Sequence, residues 1–136
     1  MKLLKSGGIF FAAFISSYAV VWDYLQSCPE LILNKDDTRE NKIFYDMLIN
    51  DKDFSGFGFA DNHFIRPKGV ELFMSQFPLE KLHIIASESF LSSREQELIK
   101  QPPEILNAWI DLAEKVCERE EFLSVSQHFL YIGRKI

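Results

Sequence analysis

The sequence has few of the residues that mark specialised classes of protein. Its two cysteines, Cys28 and Cys117, are too few for a disulfide scaffold and lack the spacing of metal ligands. No run of Lys or Arg occurs, and 15 basic against 20 acidic residues give a net charge of −5, which argues against a nucleic-acid-binding surface. No apolar run reaches the roughly 20 residues that span a bilayer. We therefore expect a reduced, cytoplasmic protein that binds neither nucleic acid nor membrane.

Aromatic side chains, in contrast, are plentiful. The chain holds 13 Phe, 4 Tyr and 2 Trp, and 47% of its 136 residues are hydrophobic. A chain of this length forms about one domain, and it can bury roughly two-thirds of the surface that its unfolded form exposes. We therefore expect residues 1–136 to form a single domain whose aromatic rings fill a core or line a ligand pocket.

The first 27 residues allow two interpretations. A basic start, the apolar run Ile9–Ile15 and the tetrapeptide Leu25–Cys28 are compatible with a signal peptide or lipoprotein leader. However, Lys5-Ser-Gly-Gly8 interrupts the run where an apolar signal core should begin. The same glycines supply a turn, and Ile9–Ile15 is then a strand that is apolar on both faces, as in a sheet covered by layers on both sides. We favour the strand.

The rest of the chain predicts two more strands and a series of helices. The apolar runs Leu82–Ala86 and Phe129–Ile132 predict the strands. Elsewhere apolar residues recur at spacings of three and four, which predicts helices starting at Ser17, Thr38, Pro67, Ser92 and Pro103. The stretch Asp51–His63 interleaves Phe with Gly and predicts a loop or an irregular hairpin. The fold class is therefore α/β, α+β in appearance, with three strands and about five helices.

Three segments of the chain together carry a family resemblance. Leu3-Leu-Lys-Ser-Gly-Gly-Ile-Phe10 is similar to a Leu-Lys-Pro-Gly-Gly turn and the strand after it, with Ser6 in place of the proline. Phe64–Phe73 is similar to a Pro-led helix, and Gln127–Lys135 is similar to a terminal strand with a His-x-Leu-Tyr-Ile-Gly-Arg-Lys-like pattern. In this order they resemble the fifth strand, the helix before the sixth strand and the last strand of class I S-adenosylmethionine-dependent methyltransferases, in particular a bacterial small-molecule subgroup.

The resemblance implies the C-terminal fragment of that family's Rossmann-like sheet. The first strand would pair with the last, which would lie antiparallel between the first and the second. The family binds S-adenosylmethionine with a Gly-rich turn after its first strand and an acidic residue after its second. This chain has no Gly-x-Gly-x-Gly, and Gly56-Phe-Gly58 lies in the aromatic stretch. We therefore expect the complete enzyme to use S-adenosylmethionine, and residues 1–136 alone neither to bind it nor to be catalytically competent.

The resemblance also implies candidate substrate-binding residues. In the family, the segment after the fifth strand and the insertion before the next helix form the wall beside the methyl acceptor. Tyr18 would hydrogen-bond or stack on the acceptor, Phe57 and Phe59 would line a flat apolar pocket, and His63 would act as a base or orient the acceptor. A half-buried helix tyrosine, core phenylalanines and a surface histidine are the plainer alternatives. No catalytic residue or metal ligand is identified, and we expect a structural hydrogen bond from His128.

Three functional hypotheses follow. The first is the methyltransferase portion, whose partner is a small-molecule methyl acceptor and whose exposed strand edge favours a homodimer or aggregation. The second is a secreted or lipid-anchored α+β protein that binds a ligand with its aromatic loop and has residues 1–27 as a signal peptide. The third is a decayed or mis-started gene without independent activity. The methyl acceptor is not specified, because a fold does not fix its substrate.

Overall fold

The structure, a computed structural model, describes residues 3–33, 39–57 and 61–136. Within these residues the strands are β1 (Ile9–Ser16), β2 (Phe54–Phe57), β3 (Asp61–Ile65), β4 (Leu79–Ala86) and β5 (His128–Lys135). The helices are α1 (Ser17–Ser27), α2 (Arg39–Leu48), α3 (Pro67–Met74), α4 (Glu95–Leu98), α5 (Pro103–Val116) and α6 (Glu120–Leu123). Two 3₁₀ turns, Pro29–Leu33 and Ser89–Arg94, complete the elements. The predicted α/β class is confirmed.

The strands form one sheet in the order β2-β3-β1-β5-β4. β5 runs antiparallel to β1, from the pair Ile9–Arg134 to the pair Ile15–His128. It also runs antiparallel to β4 on its other side. The last strand therefore lies between the first strand and β4, which confirms the arrangement that the family resemblance implies.

The hairpin of β2 and β3 adds two strands to the three that were predicted. β2 and β3 pair antiparallel, and the rings of Phe54 and Phe64 stack across the pair with centroids 5.6 Å apart. β3 in turn joins β1 in parallel through only two residue pairs, at Ile15 and Ser16. Asp51–His63 thus contains a hairpin, one of the two forms that its sequence allows.

Local chemistry sets where the helices begin. α1 starts at Ser17 as predicted, but the cap that the sequence places at Ser17 is Ser16, whose Oγ accepts a hydrogen bond from the Tyr18 N–H at 3.2 Å. Pro67 and Pro103 open α3 and α5 as predicted. The helix predicted from Ser92 is wrong at its start, since Ser92 lies in a 3₁₀ turn and α4 begins at Glu95. Thr38 lies outside the described residues. None of the helices described is long and apolar enough to cross a membrane.

One face of the sheet carries the core. Val70 and Met74 of α3 and Leu123 of α6 pack against it, and Val70 and Phe129 are fully buried. The other buried members of this cluster are Ile65, Ile84, Ala86 and Tyr131, with Phe10, Ala12, Phe14 and Leu79 packed around them. Alternation along the strands places these side chains on one face.

The opposite face of the sheet is largely uncovered in the described part of the chain. We call it the outer face and define it by Ile9, Phe11, Ala13, Leu130 and Ile132. Phe11 at its centre is 61% exposed, and Ile9 is 41% exposed. The prediction that layers cover both faces of the first strand is therefore wrong for these residues. Because β3 reaches β1 only at Ile15 and Ser16, the edge of β1 that faces away from β5 also has no paired strand from residue 9 to residue 14 among the residues described.

Candidate functional site

The carboxyl ends of three strands meet at one edge of the sheet. β1 and β3 are parallel, and β1 and β4 both run antiparallel to β5, so β1, β3 and β4 point in the same direction. Hydrogen bonds from the Ser16 N–H to the Gln127 carbonyl (2.8 Å) and from the Ser87 N–H to the His128 carbonyl (3.0 Å) close this edge. Ligands of open α/β sheets bind beyond the carboxyl ends of the strands. This edge, which we call the carboxyl edge, is therefore the first place to search for a site.

A cluster of hydrogen bonds joins the end of β4 to the start of β5. Glu88 Oε1 lies 2.6 Å from His128 Nδ1, and Glu88 Oε2 accepts from the His128 N–H at 3.0 Å. The hydroxyl of Ser126 donates to Glu88 Oε2 at 3.0 Å or to the His128 carbonyl at 2.9 Å. The same hydroxyl accepts from the N–H groups of Glu88 (3.3 Å) and Ser89 (3.2 Å). His128 thus makes the structural hydrogen bond expected of it, to a carboxylate that lies 40 residues away in the sequence.

The cluster also holds an unusual backbone. Ser89 has φ 53°, a left-handed conformation that non-glycine residues rarely adopt. Its hydroxyl is buried without a hydrogen-bond partner among the described residues, as is the hydroxyl of Ser17 at the start of α1. Strain and unsatisfied polar atoms concentrate at functional sites, so both observations support the carboxyl edge as the candidate site.

An aromatic cavity of about 330 Å³ opens beside this edge. Its walls come from α1, from the turn Ser89–Arg94, and from α6 with the segment that follows it. The lining residues are Trp22, Gln26, Phe90, Ser92, Ser93, Glu121, Phe122, Val125 and Gln127. We call it the aromatic cavity. Its size falls at the lower end of the range for small-molecule sites, which is roughly 300–1,000 Å³.

A second cavity, of about 430 Å³, lies between α5 and the end of β4. Leu106, Ile110 and Ala113 of α5 face Ile85 across it, and Glu88 lies among its lining residues. Eight of its fourteen lining residues are aliphatic, and the others are Ser87, Glu88, Ser92, Glu95, Glu114 and Cys117. It therefore combines apolar contact with three carboxylates, and it has no aromatic ring among the lining residues described.

Neither Tyr18 nor His63 lines either cavity. Tyr18 is partly buried in the first turn of α1. His63 is exposed on β3, and its Nδ1 lies 2.7 Å from the hydroxyl of Ser55 on the neighbouring strand. No hydrogen bond or ring contact of the described residues joins Tyr18 to His63. The backbone of Phe57 ends β2 opposite Asp61, while its side chain and the whole of Phe59 lie outside the described residues.

The aromatic residues of the cavity were missed because no local pattern marks them. Trp22 belongs to the apolar stripe predicted for α1, yet it is 43% exposed at the cavity wall. Phe90 lies in a 3₁₀ turn and Phe122 in a four-residue helix, and both elements are too short to show a period. Each of these phenylalanines begins a Phe-Leu pair that follows a polar segment, in Ser-Glu-Ser-Phe-Leu91 and Arg-Glu-Glu-Phe-Leu123, and this is the one signal that the sequence offers.

The described residues do not form the site that S-adenosylmethionine needs, in which a Gly-rich turn approaches the ligand and an acidic residue binds the ribose hydroxyls. The turns after β1, β3 and β4 begin at Ser17, Arg66 and Ser87, and none contains the glycines that would let backbone approach a ligand. Gly56 lies in β2, under the ring of Phe54, and does not form a strand-to-helix turn. Nor do the described residues contain three or more His, Cys, Asp or Glu side chains grouped to hold a metal ion.

Other polar groups near the strand ends have structural partners. The Arg66 guanidinium lies 2.9 Å from Asp53 and 3.4 Å from Asp51, and the hydrogen bond to Asp53 raises the pKa of Arg66. This cation is therefore engaged by carboxylates and not offered to a ligand. Burial, assisted by the charge of Glu118, raises the pKa of the Cys117 thiol, so Cys117 is a poor nucleophile at neutral pH.

Fold and site together define a mixed α/β protein with an aromatic cavity at the carboxyl edge of its sheet. No protein-family model matches the sequence. No curated protein is similar enough to it to indicate a relative.

Proposed function

We propose that this chain is the C-terminal portion of an S-adenosylmethionine-dependent methyltransferase and forms the wall beside the methyl acceptor. The observation that carries the proposal is the position of β5, antiparallel between β1 and β4. In the family that the sequence resembles, the last strand enters the sheet in the same way, between the fifth and the sixth strands. A reversed strand inserted between two parallel ones is an uncommon arrangement, so the agreement in strand order adds to the agreement in motifs.

The uncovered surfaces of the sheet support the same proposal. The free edge of β1 from Ile9 to Phe14 contains no charge, proline or bulge, the features by which proteins protect an edge strand. The outer face beside it exposes Phe11 and Ile9. An apolar strand with an open edge and an open face is typical of a central strand, and the fourth strand of the family's sheet would pair at this edge.

The role of this chain in the complete enzyme follows from the sites that its described residues form. The described residues form a cavity at the carboxyl edge but no cradle for the methyl donor. S-adenosylmethionine supplies the electrophilic methyl group when it is bound to the complete enzyme. The contribution of this chain is to hold the acceptor at a fixed position and to exclude water around it, which is how positioning accelerates a reaction between two bound molecules. We place the enzyme in the cytoplasm.

The test is a gain of donor binding on extension of the chain. We would sequence the DNA upstream of the codon for Met1, express the longer reading frame or the separate upstream half together with this chain, and titrate each with S-adenosylhomocysteine by calorimetry. The extended protein should bind with a Kd near 1 μM, about −8 kcal/mol, and residues 1–136 alone should not bind. ATP serves as the control for unspecific adenine binding. Donor binding by the short chain, or an upstream sequence without a strand followed by a Gly-rich turn, would contradict the proposal.

The signal-peptide alternative requires the sheet to form without its first strand. β1 contributes one of the two neighbours of β5, and α1 follows it directly. Cleavage after residue 27 would remove both elements, and no observation favours that outcome. The intact mass of the natively expressed protein tests it, because a chain that starts at Met1 or Lys2 has lost no leader.

A further inference from the structure

The walls of the aromatic cavity are held in place by contacts outside it. Phe90 packs against Phe122 with centroids 5.4 Å apart and against Trp109 of α5 at 6.3 Å. The Ser92 hydroxyl donates to the Val125 carbonyl at 3.3 Å, which ties the 3₁₀ turn to the segment before β5. The Gln127 carbonyl accepts from the Ser16 N–H at 2.8 Å. The cavity is thus a preformed feature of three packed segments.

The charges at the cavity compensate one another. Glu121 contributes a carboxylate to the lining, and Arg119 lies 3.7 Å from that carboxylate. The guanidinium of Arg119 also lies 5.7 Å from the ring centroid of Phe122. Because this pair is locally neutral, the cavity favours neither an anion nor a cation.

The other polar side chains of the cavity lining are uncharged, namely the hydroxyls of Ser92 and Ser93 and two amides. Gln26 and Gln127 both line it, and each side-chain amide can donate and accept a hydrogen bond. Among the residues described, neither amide makes a hydrogen bond to the protein. Three aromatic rings beside two unpartnered amides suit a ligand that combines a flat ring with one uncharged polar group.

We propose that the aromatic cavity binds a neutral, planar aromatic molecule of one or two rings that carries a hydroxyl group. The ring lies against Trp22, Phe90 and Phe122, and the hydroxyl group reaches the amide of Gln26 or Gln127. The inference that this ligand is the methyl acceptor rests on the proposed function; the binding itself rests only on the cavity.

The test is a titration of the chain with 2-naphthol, an uncharged two-ring phenol, observed by NMR. The protein has two tryptophans, so two indole N–H signals are expected, and a Trp109→Phe variant assigns them to Trp22 and Trp109. Saturable movement of the Trp22 signal, much larger than that of the Trp109 signal, is expected at sub-millimolar 2-naphthol. The non-planar decahydro-2-naphthol and the anionic 2-naphthoate should each bind at least threefold more weakly.

Two variants and a matched control locate the site. Phe122→Leu removes a ring from the cavity, and Trp22→Leu removes one from an already exposed position, so at least the second should fold normally. Each should weaken 2-naphthol binding about three- to tenfold, the loss expected for one aromatic contact, and the backbone N–H signal of Gln127 in the cavity wall reports binding in both variants. Phe73→Leu makes the same kind of change on α3, away from the cavity, and should leave the affinity unchanged.

The outcomes separate this proposal from the proposed function. Failure of 2-naphthol to saturate by 5 mM, equal binding of the decahydro alcohol, or equal affinity of the Trp22→Leu variant would overturn the cavity proposal. None of these results bears on donor binding by the extended chain. Conversely, 2-naphthol binding at Trp22 without any gain of donor binding would keep the ligand class and discard the methyltransferase.

Discussion

The hydroxyl of Ser126 is the point where the carboxyl edge is most sensitive to a small change. Ser126→Ala removes the acceptor of two N–H groups, those of Glu88 and Ser89, and the donor to the Glu88 carboxylate or the His128 carbonyl. Ser126 is only 1% exposed, so water has little access to replace the lost oxygen. A buried donor left without a partner costs about 1–3 kcal/mol. Since both accepted bonds are long, we take the lower half of that range for each and expect a total loss of about 2–4 kcal/mol.

Urea unfolding measures this loss. With a slope of ~1–3 kcal/mol per molar urea, the midpoint should fall by at least about 0.7 M while the slope stays unchanged. Ser124→Ala is the matched control two residues away, because its hydroxyl donates only to the Glu120 carbonyl in an exposed hydrogen bond. The control should change the free energy of unfolding by less than about 0.5 kcal/mol. Equal effects of the two substitutions would refute the view that Ser126 organises the carboxyl edge.

Three further predictions concern the core, the open edge and a cysteine. Phe129→Ala empties a fully buried position, so the free energy of unfolding should fall by about 3–5 kcal/mol in urea; a loss under about 1.5 kcal/mol would contradict the packing of the core face. Phe11→Lys places a charge on the outer face, where the side chain is exposed. Sedimentation velocity should show less self-association than in the parent chain, and the free energy of unfolding should change by less than about 0.5 kcal/mol. A parent chain that is already a monodisperse monomer would contradict the open edge of β1. Burial raises the pKa of Cys117, so in a Cys28→Ser background its alkylation by iodoacetamide at pH 8 should be slower than that of free cysteine and should reach the free rate in urea. Because the folded-state pKa is the higher one, this thiol's contribution to stability is present below the unfolded-state pKa and is lost as pH rises through the folded-state value.

Strands and helices with a clear period could be read from the sequence. The apolar run Ile9–Ile15 predicts β1, and the prolines at Pro67 and Pro103 predict the starts of α3 and α5. The hairpin was harder to predict from the sequence, because β2 and β3 are short. They depend on a cross-strand pair, Phe54 with Phe64, that no local pattern encodes. The exposure of Phe11 was not predicted either, since an apolar run on both faces is normally covered on both faces.

The candidate site could not be predicted from the sequence either, because its residues come together only in the folded chain. Glu88 and His128 lie 40 residues apart, and the bonds between them depend on β4 and β5 being neighbours in the sheet. Phe90 and Phe122 come together from a 3₁₀ turn and a four-residue helix that have no periodicity. Sequence reasoning instead selected Tyr18, Phe57, Phe59 and His63, because the family resemblance implies that their segments form the wall beside the methyl acceptor. Proximity in the fold decides which side chains share a cavity, and the sequence alone does not give that proximity.

Amide hydrogen exchange along β1 tests the central claim that this strand belongs inside a larger sheet. Successive N–H groups of an edge strand point alternately toward its neighbour and away from it, so in the dilute short chain the amides of residues 9–14 should alternate between slow and fast exchange. Addition of the upstream half should slow the fast set and leave the slow set unchanged. Uniformly slow exchange in a dilute monomer of residues 1–136, or fast amides that stay fast in the extended protein, would contradict the account.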